Sequence, residues 1–406
     1  MPDLRTAEFT KEMRDTHTIY MPQMLHYHNE LICAAFKYGG YNLKVIPKQT
    51  VFPPSAQSLI NKDYCTCAFE IVGNILAFIE NNPDAAGSIA ILEPQTGGSC
   101  RAGNYYNLII DCLKKTGNSD IPVLSLNAHK AEAHSGFRIN ARMLFAAVAA
   151  VCYGDLLMTL TEQILPYEVV PGQTEALRQQ WLKRLCDSIS NGHCIFNRKK
   201  IYKEIADSFL SVPTDRSRRP TRVGIAGEIY IKFSPIGNFL LEDFLYNHGC
   251  EIRQGGFVNY CIYLVYSEIA DMRLAHKNPA ALLLCEKLKD ILCSMQKDMN
   301  DTLQSLHLHH DMNFMDLQKV KGDILNDCYS MGDGWLVLSE IIDLAMQGYD
   351  KILVVHPFAC LVSHVGSRGI LKKLNELFPS VKISSIEFDR EQSKALRESR
   401  ILLAIS

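Results

Sequence analysis

Short apolar runs alternate with helical patterns in two blocks of this chain, and this alternation restricts the fold more than any other feature. In the first block, Thr18–Met21 predicts a strand, residues 28–38 carry apolar side chains at helical spacing, and residues 43–46 predict a second strand. Such an opening implies a right-handed crossover and a parallel sheet. The alternation continues as helix, strand, helix and strand at 69–80, 88–92, 105–115 and 122–126. We therefore predict one doubly wound unit from about 17 to 130.

The second block repeats this architecture after a long stretch, 140–210, that carries helical signals only. Strands are predicted at 222–226, 250–253, 351–355 and 381–386, and helices at 240–247, 336–347 and 369–378. The predicted fold class is α/β, with two Rossmann-like (flavodoxin-like) parallel-sheet domains joined by a helical segment. The expected boundaries are 1–139 for the N-terminal α/β domain, 140–213 for the helical connector, and 214–406 for the C-terminal α/β domain with a helical insert at about 260–306.

The size and charge of the chain argue against several classes of function. Its 406 residues are too many for one hydrophobic core. Since 42 basic residues balance 44 acidic ones, there is no electrostatic case for binding nucleic acid or an anionic membrane. The basic segment 214–222 is interpreted as a solvated interdomain connector, and the apolar stretch 143–154 is too short to cross a bilayer and predicts a buried helix.

Cysteine usage predicts a reducing compartment. The chain has 14 cysteines, and its N-terminus lacks the apolar region of a signal peptide. A secreted disulfide scaffold would be shorter and denser in cysteine. We therefore expect a cytoplasmic protein with reduced thiols, some of which are metal ligands.

Three cysteines lie in separate segments: Cys65 in 61–67, Cys100 in 95–104 and Cys360 in 356–364, of which the last two carry glycine or proline. At least the second and third follow a strand pattern and precede a helical pattern. In an α/β sheet this location puts side chains in the crevice beyond the carboxyl ends of the strands, where ligands bind. Three thiolates that converge there can hold three irons of a cubane cluster and leave the fourth iron open.

Other interpretations of these segments stay open. The segment 95–104 could be a tight turn with an incidental cysteine, or it could cradle a phosphate, although no glycine-rich nucleotide motif is present. Cys67, two residues after Cys65, is either a fourth ligand or a spare thiol. If its segment is extended, the two side chains point to opposite faces, which favours one ligand.

The histidines near the third cysteine, His356 and His364, could bind metal or donate hydrogen bonds to cluster sulfurs. We favour the more common role of hydrogen-bonded polar groups. The tract 307–310 is interpreted as a solvated helix end. Most other cysteines lie in apolar contexts and predict core positions, with Cys328 the exception because its surroundings resemble a loop.

Taken together, several segments resemble a known family. They are Phe9-Thr-Lys-Glu-Met13, Ile19-Tyr-Met-Pro-Gln-Met24, Asn61-Lys-Asp-Tyr-Cys65, Gln95-Thr-Gly-Gly-Ser-Cys-Arg101, Tyr153-Gly-Asp-Leu-Leu157, Val223-Gly-Ile-Ala-Gly-Glu-Ile229, Lys232-Phe-Ser-Pro235, Gly332-Asp-Gly-Trp335 and Pro357-Phe-Ala-Cys-Leu361. The chain resembles the C-terminal portion of the large activase-type proteins linked to 2-hydroxyacyl-CoA dehydratases. It is similar to the broader iron–sulfur family that includes 2-hydroxyglutaryl-CoA dehydratase subunits and double-cubane cluster proteins. The large relatives carry an N-terminal ATPase region that this chain lacks, and they often have a tyrosine–proline-like continuation where this chain has Thr66-Cys67.

The resemblance implies a [4Fe–4S] cluster held between two Rossmann-like domains, with Cys65, Cys100 and Cys360 as its ligands. It implies an electron-transfer or dehydratase-type protein that receives low-potential electrons from an ATP-hydrolysing activase chain. An acyl-CoA thioester is the candidate substrate. We expect a homodimer or heterodimer. Main-chain N–H groups that could bond to the cluster are expected around Gly97, Gly98, Ser99, Arg101 and Ala359.

Enzymatic activity is left open between a dehydratase-like lyase and a reductase component, and two further functions remain. A double-cubane reductase of small molecules would need roughly six cysteine ligands, and Cys67 and Cys328 are the plausible additions. A scaffold without a cofactor, which docks the ATPase partner, would contain no iron.

Overall fold

The computed structural model describes residues 6–49, 52–60, 64–94, 100–126, 134–193, 197–275 and 279–406. Within them the chain is α/β, with two four-stranded sheets in which every pairing is parallel. The predicted fold class is confirmed.

The N-terminal sheet has the strand order β2-β1-β3-β4. Its strands are β1 Thr18–Met21, β2 Leu43–Val45, β3 Ile89–Glu93 and β4 Val123–Ser125. All five residues of β3 are buried, as expected of a central parallel strand covered on both faces. This sheet places β3, which leads toward Cys100, between two neighbouring strands.

The C-terminal sheet repeats the order as β6-β5-β7-β8. Its strands are β5 Thr221–Gly227, β6 Cys250–Gln254, β7 Lys351–Pro357 and β8 Lys382–Phe388. The strand β7 ends two residues later than predicted, so Cys360 lies three residues beyond it. Because Gly227 is paired with Val355, the residues that follow β5 and β7 emerge side by side at one edge of the sheet.

Seventeen α-helices accompany the sheets in the described residues. Before the connector these are α1 Met13–Thr16, α2 Asn29–Tyr38, α3 Pro54–Leu59, α4 Thr66–Asn81 and α5 Tyr105–Lys115. The connector contains α6 Ala141–Ile164, α7 Gln173–Ser190 and α8 Arg198–Leu210. The remaining helices are α9 Ile229–Phe233, α10 Leu241–Asn247, α11 Phe257–Leu274, α12 Pro279–Ser305, α13 Phe314–Val320, α14 Leu336–Met346, α15 Leu361–Gly366, α16 Leu371–Leu377 and α17 Lys394–Ile405.

The sequence patterns predicted the long helices and missed several others. The helices α3, α9 and α13 are too short to show a periodic pattern, and α17 at the C-terminus was also not predicted. The helical insert begins at Phe257 instead of 260 and consists of two helices, α11 and α12.

The helix α6 is the apolar centre of the connector. The segment Ala141–Tyr167 is long and apolar enough to cross a membrane by length and composition. However, 78% of its apolar 18-residue window is buried inside the protein. It is a buried core helix, as the sequence predicted for 143–154. The side chain of Asn140 caps its first turn by accepting a hydrogen bond from the Met143 N–H at 2.9 Å.

A group of buried charges joins α6 to the C-terminal domain, and we call it the Arg253 cluster. Arg253, on β6, donates hydrogen bonds to Thr159 Oγ1 at 2.9 Å and to Glu162 Oε2 at 3.1 Å, both on α6. Its other terminal nitrogen forms an ion pair with Asp311. All three charged side chains are buried, and the two carboxylates face one guanidinium. This pairing fixes the C-terminal sheet against the connector.

The basic segment 214–222 is only partly the solvated connector that the sequence predicted. Residues 216–219 are exposed, although the Arg216 guanidinium lies 4.3 Å from the Tyr167 ring centroid. Arg222 is half-buried, lies 4.2 Å from the Tyr349 ring centroid and donates to the Gly348 carbonyl at 3.2 Å. Arg216 and Arg222 therefore contact aromatic rings of the protein itself.

Candidate functional site

The three predicted cysteines each lie directly before a helical segment. Cys65 precedes α4, Cys360 precedes α15, and Cys100 precedes the short 3₁₀ turn Arg101–Asn104 that leads into α5. All three have extended backbone conformations with negative φ. Helix N-termini carry unpaired N–H groups, which stabilise a thiolate. The Cys360 sulfur accepts such a bond from the Ser363 N–H at 3.4 Å.

The first and third cysteine segments contact each other. The Thr66 N–H donates to the Phe358 carbonyl at 3.4 Å, which joins the start of α4 to the turn that follows β7. In that turn Ala359 has a φ of +59°, and this left-handed residue redirects the chain just before Cys360. Cys65 and Cys360 therefore lie on the two sides of one chain-to-chain contact, although 295 residues separate them in the sequence.

Cys100, the second cysteine, is connected to the segment of Cys360 by contacts around Gly332. A methyl group in place of a Gly332 hydrogen would lie 3.5 Å from the Cys100 sulfur and 3.4 Å from Cγ2 of Val362. Val362 belongs to α15, two residues after Cys360. The Cys100 sulfur and the first turn of α15 thus flank the same glycine, whose positive φ of +52° disfavours a larger residue.

Two buried carboxyl groups complete this ring of contacts. Asp333 accepts a hydrogen bond from the Ile229 N–H at 3.3 Å. Glu228, which directly follows β5, caps α9 by accepting from the Ile231 N–H at 2.9 Å and also accepts from the Cys67 thiol at 3.6 Å. The path of contacts therefore returns from Gly332 to the start of α4. We call the groups on this ring the thiol cluster: Cys65, Cys67, Cys100, Cys360, Glu228 and Asp333.

Within the thiol cluster, the pKa of Cys65 lies below those of Cys67 and Cys360. The side chain of Cys67 is the largest influence and lowers the pKa of Cys65 to about 6, against the opposing effect of burial. The hydroxyl of Tyr105, 2.7 Å from the Cys65 sulfur, and the charge of Arg101 act in the same direction. At neutral pH this sulfur is a thiolate, which is the form that binds metal.

Burial holds Cys360 and Asp333 in their neutral forms, whereas Glu228 lies near its midpoint at neutral pH. Burial raises the pKa of Cys360 to about 12 and that of Glu228 to about 7. Burial, with the charge of Glu228, also raises the pKa of Asp333 well above its usual range. Lys232 is the cation that acts on Asp333, but its ammonium group donates at 2.8 and 2.9 Å to Glu340 instead. Thiols and carboxyl groups therefore lie close together. In the described contacts, no cation is bonded to the carboxyl group of Glu228 or of Asp333.

Tyr260, on the helical insert, presents a further polar group to this cluster. Its hydroxyl is buried and has no hydrogen-bond partner in the described part of the chain. Burial raises the pKa of Tyr260, and the charges of Asp333 and Cys100 raise it further, so these groups are neighbours. A buried hydroxyl without a partner is costly unless a ligand satisfies it.

In the described residues, the thiol cluster is not a preformed site for one metal ion. In the residues that the structure describes, no three His, Cys, Asp or Glu side chains are placed to hold one metal ion. An iron–sulfur cubane binds each thiolate to a different iron atom, so its ligands surround a shared volume instead of one point. Three cysteines on a ring, with unpaired acids beside them, fit a group whose core is positively charged.

The remaining predicted residues have varied outcomes. Gly97, Gly98 and Ser99 lie outside the described residues. Arg101 is exposed and acts on Cys65 through its charge. Ala359 lies in the turn before Cys360 with a φ of +59°, and the neighbouring Cys360 N–H donates to the Pro357 carbonyl at 3.4 Å.

The histidines and Cys328 have hydrogen-bonded or exposed positions. His356 is buried in β7, its Nε2 lies 2.7 Å from Ser385 Oγ, and burial lowers the pKa of His356 to about 4. His364 Nδ1 lies 2.6 Å from the Cys360 carbonyl oxygen, so this histidine holds the main chain of a predicted ligand. Cys328 is exposed, and no described contact joins it to the thiol cluster.

Cys65 and Cys67 do not lie in an extended segment, the conformation that the sequence analysis considered for them. The helix α4 begins at Thr66, so the segment is not extended and the side chains do not alternate between faces. Both cysteines are buried, and Cys67 contributes to the lowered pKa of Cys65. The argument that the spacing favours one ligand therefore does not apply here.

Sequence reasoning assigned no role to Glu228, Asp333, Tyr105 or Tyr260. A signal for the first of these was present, because Glu228 follows β5 just as the segment of Cys360 follows β7, and these strands are neighbours. The positions of Tyr105 and Tyr260 depend on how α5 and the helical insert pack, which no local pattern encodes.

Comparison with models of known protein families and with curated proteins finds no match to this chain.

Proposed function

We propose that this protein binds a [4Fe–4S] cluster through Cys65, Cys100 and Cys360. We further propose that it serves as an electron-transfer or dehydratase-type protein of the 2-hydroxyacyl-CoA dehydratase family. The observation that carries the proposal is the ring of contacts that joins three cysteines from distant segments around two buried carboxyl groups.

The charges support a cationic occupant. Burial raises the pKa values of Glu228 and Asp333, and in the described contacts no cation of the chain is bonded to either carboxyl group. When bound, such a cluster would supply one-electron chemistry at low potential and one iron without a cysteine ligand. The thiolates of the chain would provide the countercharge.

The side chains around the cysteines have clear supporting roles. The Tyr105 hydroxyl orients and acidifies the Cys65 sulfur, and the Ser363 hydroxyl bonds to the Cys360 sulfur at 3.2 Å. The Tyr260 hydroxyl is available to a molecule bound beside Cys100. These bonds position ligands and tune them, which is the usual contribution of a protein to a cofactor site.

An exposed apolar surface beside Cys360 is where we expect an electron-donating partner to bind. Phe358, Leu361 and Val365 are 46%, 56% and 48% exposed, and the last two lie on one face of α15. Arg368, also exposed, lies beside them. An ATP-hydrolysing activase chain is the proposed partner, an acyl-CoA thioester the proposed substrate, and a reducing cytoplasm the proposed location.

Anaerobic reconstitution with iron and sulfide tests the cluster. We expect about four irons and four sulfides per chain, a brown protein, and a paramagnetic resonance signal after reduction. The Cys100→Ala variant should bind much less iron. A colourless chain without iron would contradict the proposal and support the scaffold that docks an ATPase.

The double-cubane alternative is disfavoured by the number of thiols. The contact ring brings together four cysteines, and Cys328 is exposed and apart from them in the described contacts. About six ligands would be needed. An iron content near eight per chain would reverse this choice.

A further inference from the structure

Cys65 and Cys360 belong to different domains, so their sulfurs stay close to each other only while the two domains remain in contact at this edge. Cys65 directly precedes α4 in the N-terminal domain, and Cys360 follows β7 in the C-terminal domain. The hydrogen bond from the Thr66 N–H to the Phe358 carbonyl joins their segments, but at 3.4 Å it is longer than a typical N–H···O bond. One long hydrogen bond is a weak connection between two proposed ligands.

The end of β8 and the residues after it supply a second connection. The Phe358 N–H donates to the Phe388 carbonyl at 2.9 Å, so the turn that leads to Cys360 is bonded to the last residue of β8. Two residues later, Arg390 Nη1 donates to Glu70 Oε1 on α4 at 3.3 Å. The segment 388–390 therefore contacts the surroundings of both cysteines.

The Arg390 guanidinium also lies over aromatic rings of the N-terminal domain. Its Cζ is 3.8 Å from the ring centroid of Phe52 and 5.1 Å from that of Phe69. Phe52 is buried and packs closely on α4, because a methyl group on Gly73 would lie 2.4 Å from its ring. A planar guanidinium stacks on such a surface and pairs with a carboxylate at the same time, which an ammonium group does less well.

Glu70 depends on this arginine for its charge partner. The carboxyl group is 4% exposed, and burial raises its pKa, whereas the charge and the hydrogen bond of Arg390 act in the opposite direction. Arg390 is the cation bonded to Glu70 in the described contacts. Removing Arg390 therefore weakens the attachment of α4 to the C-terminal domain, four residues beyond Thr66.

We propose that Arg390 is a positioning residue that holds the Cys65 end of α4 against the turn that carries Cys360. This inference rests on the proposed function for its effect on iron, whereas the contact itself is a property of the chain without a cluster. Cys65 is 7% exposed and Cys360 is half-buried, so a reagent or a chelator reaches the site when the two segments separate. Arg390 sets how often this local opening occurs.

The first test is the alkylation of Cys65 by iodoacetamide in the native, cluster-free protein, followed by peptide mass spectrometry. Arg390→Met should react about 5- to 30-fold faster than the wild type, because losing the stacked ion pair favours local opening. Arg390→Lys keeps the charge without the planar group and should react at an intermediate rate. Arg397→Met is the matched control, since the Arg397 guanidinium lies 3.9 Å from the Phe239 ring centroid within the C-terminal domain. Cys112, fully buried on α5, is the internal control and should keep its wild-type rate in every variant.

The second readout is the transfer of iron from the reconstituted protein to a chelator. Arg390→Met should start with the iron content of the wild type and lose that iron several-fold faster. An unchanged alkylation rate of Cys65, equal release of iron, or equal acceleration at Cys112, which reports a global loss of stability, would each overturn this inference alone. A wild-type chain without iron overturns the proposed function instead, and the alkylation rates still decide whether Arg390 holds the two segments together.

Discussion

Two buried polar regions of this protein, the Arg253 cluster and the thiol cluster, differ in whether a cation of the chain is bonded to their acidic side chains. In the first, one guanidinium faces two carboxylates, and Thr159 satisfies another of its donors. In the second, four cysteines and two carboxyl groups share a small region, and the nearby ammonium group of Lys232 bonds to Glu340 instead. Both regions join segments that are distant in the sequence.

The difference is that a cation of the chain bonds to the acids of the first region, although burial raises the pKa of Glu162 there as well and Arg253 Nε has no hydrogen-bond partner in the described residues. Buried charges that pair within the chain stabilise the arrangement of its segments, and removal of one partner leaves the others costly. Acidic groups without a paired cation remain protonated or attract a positive group. We therefore interpret the Arg253 cluster as structural and the thiol cluster as a binding site.

The sharpest way to break this comparison is to remove single thiols from the second region. Cys65→Ala, Cys100→Ala and Cys360→Ala should each abolish most of the iron uptake, because a cubane held by two cysteines is poorly retained. Iron and sulfide analysis after anaerobic reconstitution measures the effect, with Cys112→Ala as the control. Iron contents equal to that of the wild type would remove the distinction between the two regions.

The Arg253→Met variant tests the structural region. Removing the guanidinium leaves Glu162 and Asp311 buried without their partner, and we expect the free energy of unfolding to fall by about 3–5 kcal/mol. Denaturant unfolding monitored by circular dichroism measures this loss. The folded fraction should still bind iron, so loss of stability without loss of iron per folded chain is the predicted result.

The pH dependence of stability at two buried carboxyl groups, Glu228 and Glu340, sharpens the comparison. Burial raises the pKa of Glu228 to about 7 in the folded chain, above its ordinary value of 4.5. Its contribution to stability is therefore complete below about pH 4.5 and is lost as the pH rises through 7. In the cluster-free protein, Glu228→Gln should gain stability relative to the wild type between pH 5 and 8, on the order of 2 kcal/mol.

Glu340 provides the contrast, because it is paired with Lys232. Glu340→Gln leaves a buried ammonium without its carboxylate and should lower the free energy of unfolding at pH 7 by about 3 kcal/mol. Urea titrations of both variants at pH 5, 7 and 8 check the two predictions together. Similar behaviour of the two variants would contradict the distinction between paired and unpaired acids.

The smallest predicted effect concerns the hydrogen bond from Tyr105. Tyr105→Phe removes a donor 2.7 Å from the Cys65 sulfur, so the pKa of Cys65 should rise by about one unit, equivalent to roughly 1.4 kcal/mol. The pH dependence of Cys65 alkylation in the cluster-free protein, followed by mass spectrometry, measures the shift. Tyr106→Phe is a matched control, since the neighbouring Tyr106 hydroxyl has no hydrogen-bond partner in the described residues.

The sequence predicted the sheets because parallel strands in a buried sheet produce short apolar runs separated by helical patterns. Every predicted strand is present, and the boundaries differ by at most two residues at either end. The short helix α9 was missed, because a helix of five buried residues has no polar face to create a period. Its importance lies in Glu228, which caps it and thereby points into the thiol cluster.

For the candidate site, the sequence predicted only which strand ends lie near it. The sheet order puts the ends of β5 and β7 side by side, and the glycine- and proline-bearing segments indicated the loops that follow. The contact between Thr66 and Phe358 depends on how the two domains pack, and the burial of Asp333 and Tyr260 depends on the helical insert. These long-range relations have no local signal in one sequence.

The most direct test of the account is anomalous diffraction at the iron absorption edge from crystals of the reconstituted protein. The account predicts one compact iron peak enclosed by the sulfurs of Cys65, Cys100 and Cys360, beside Glu228 and Asp333. Iron located elsewhere, for example at the histidine tract 307–310, or sulfurs that do not surround a common peak, would contradict it.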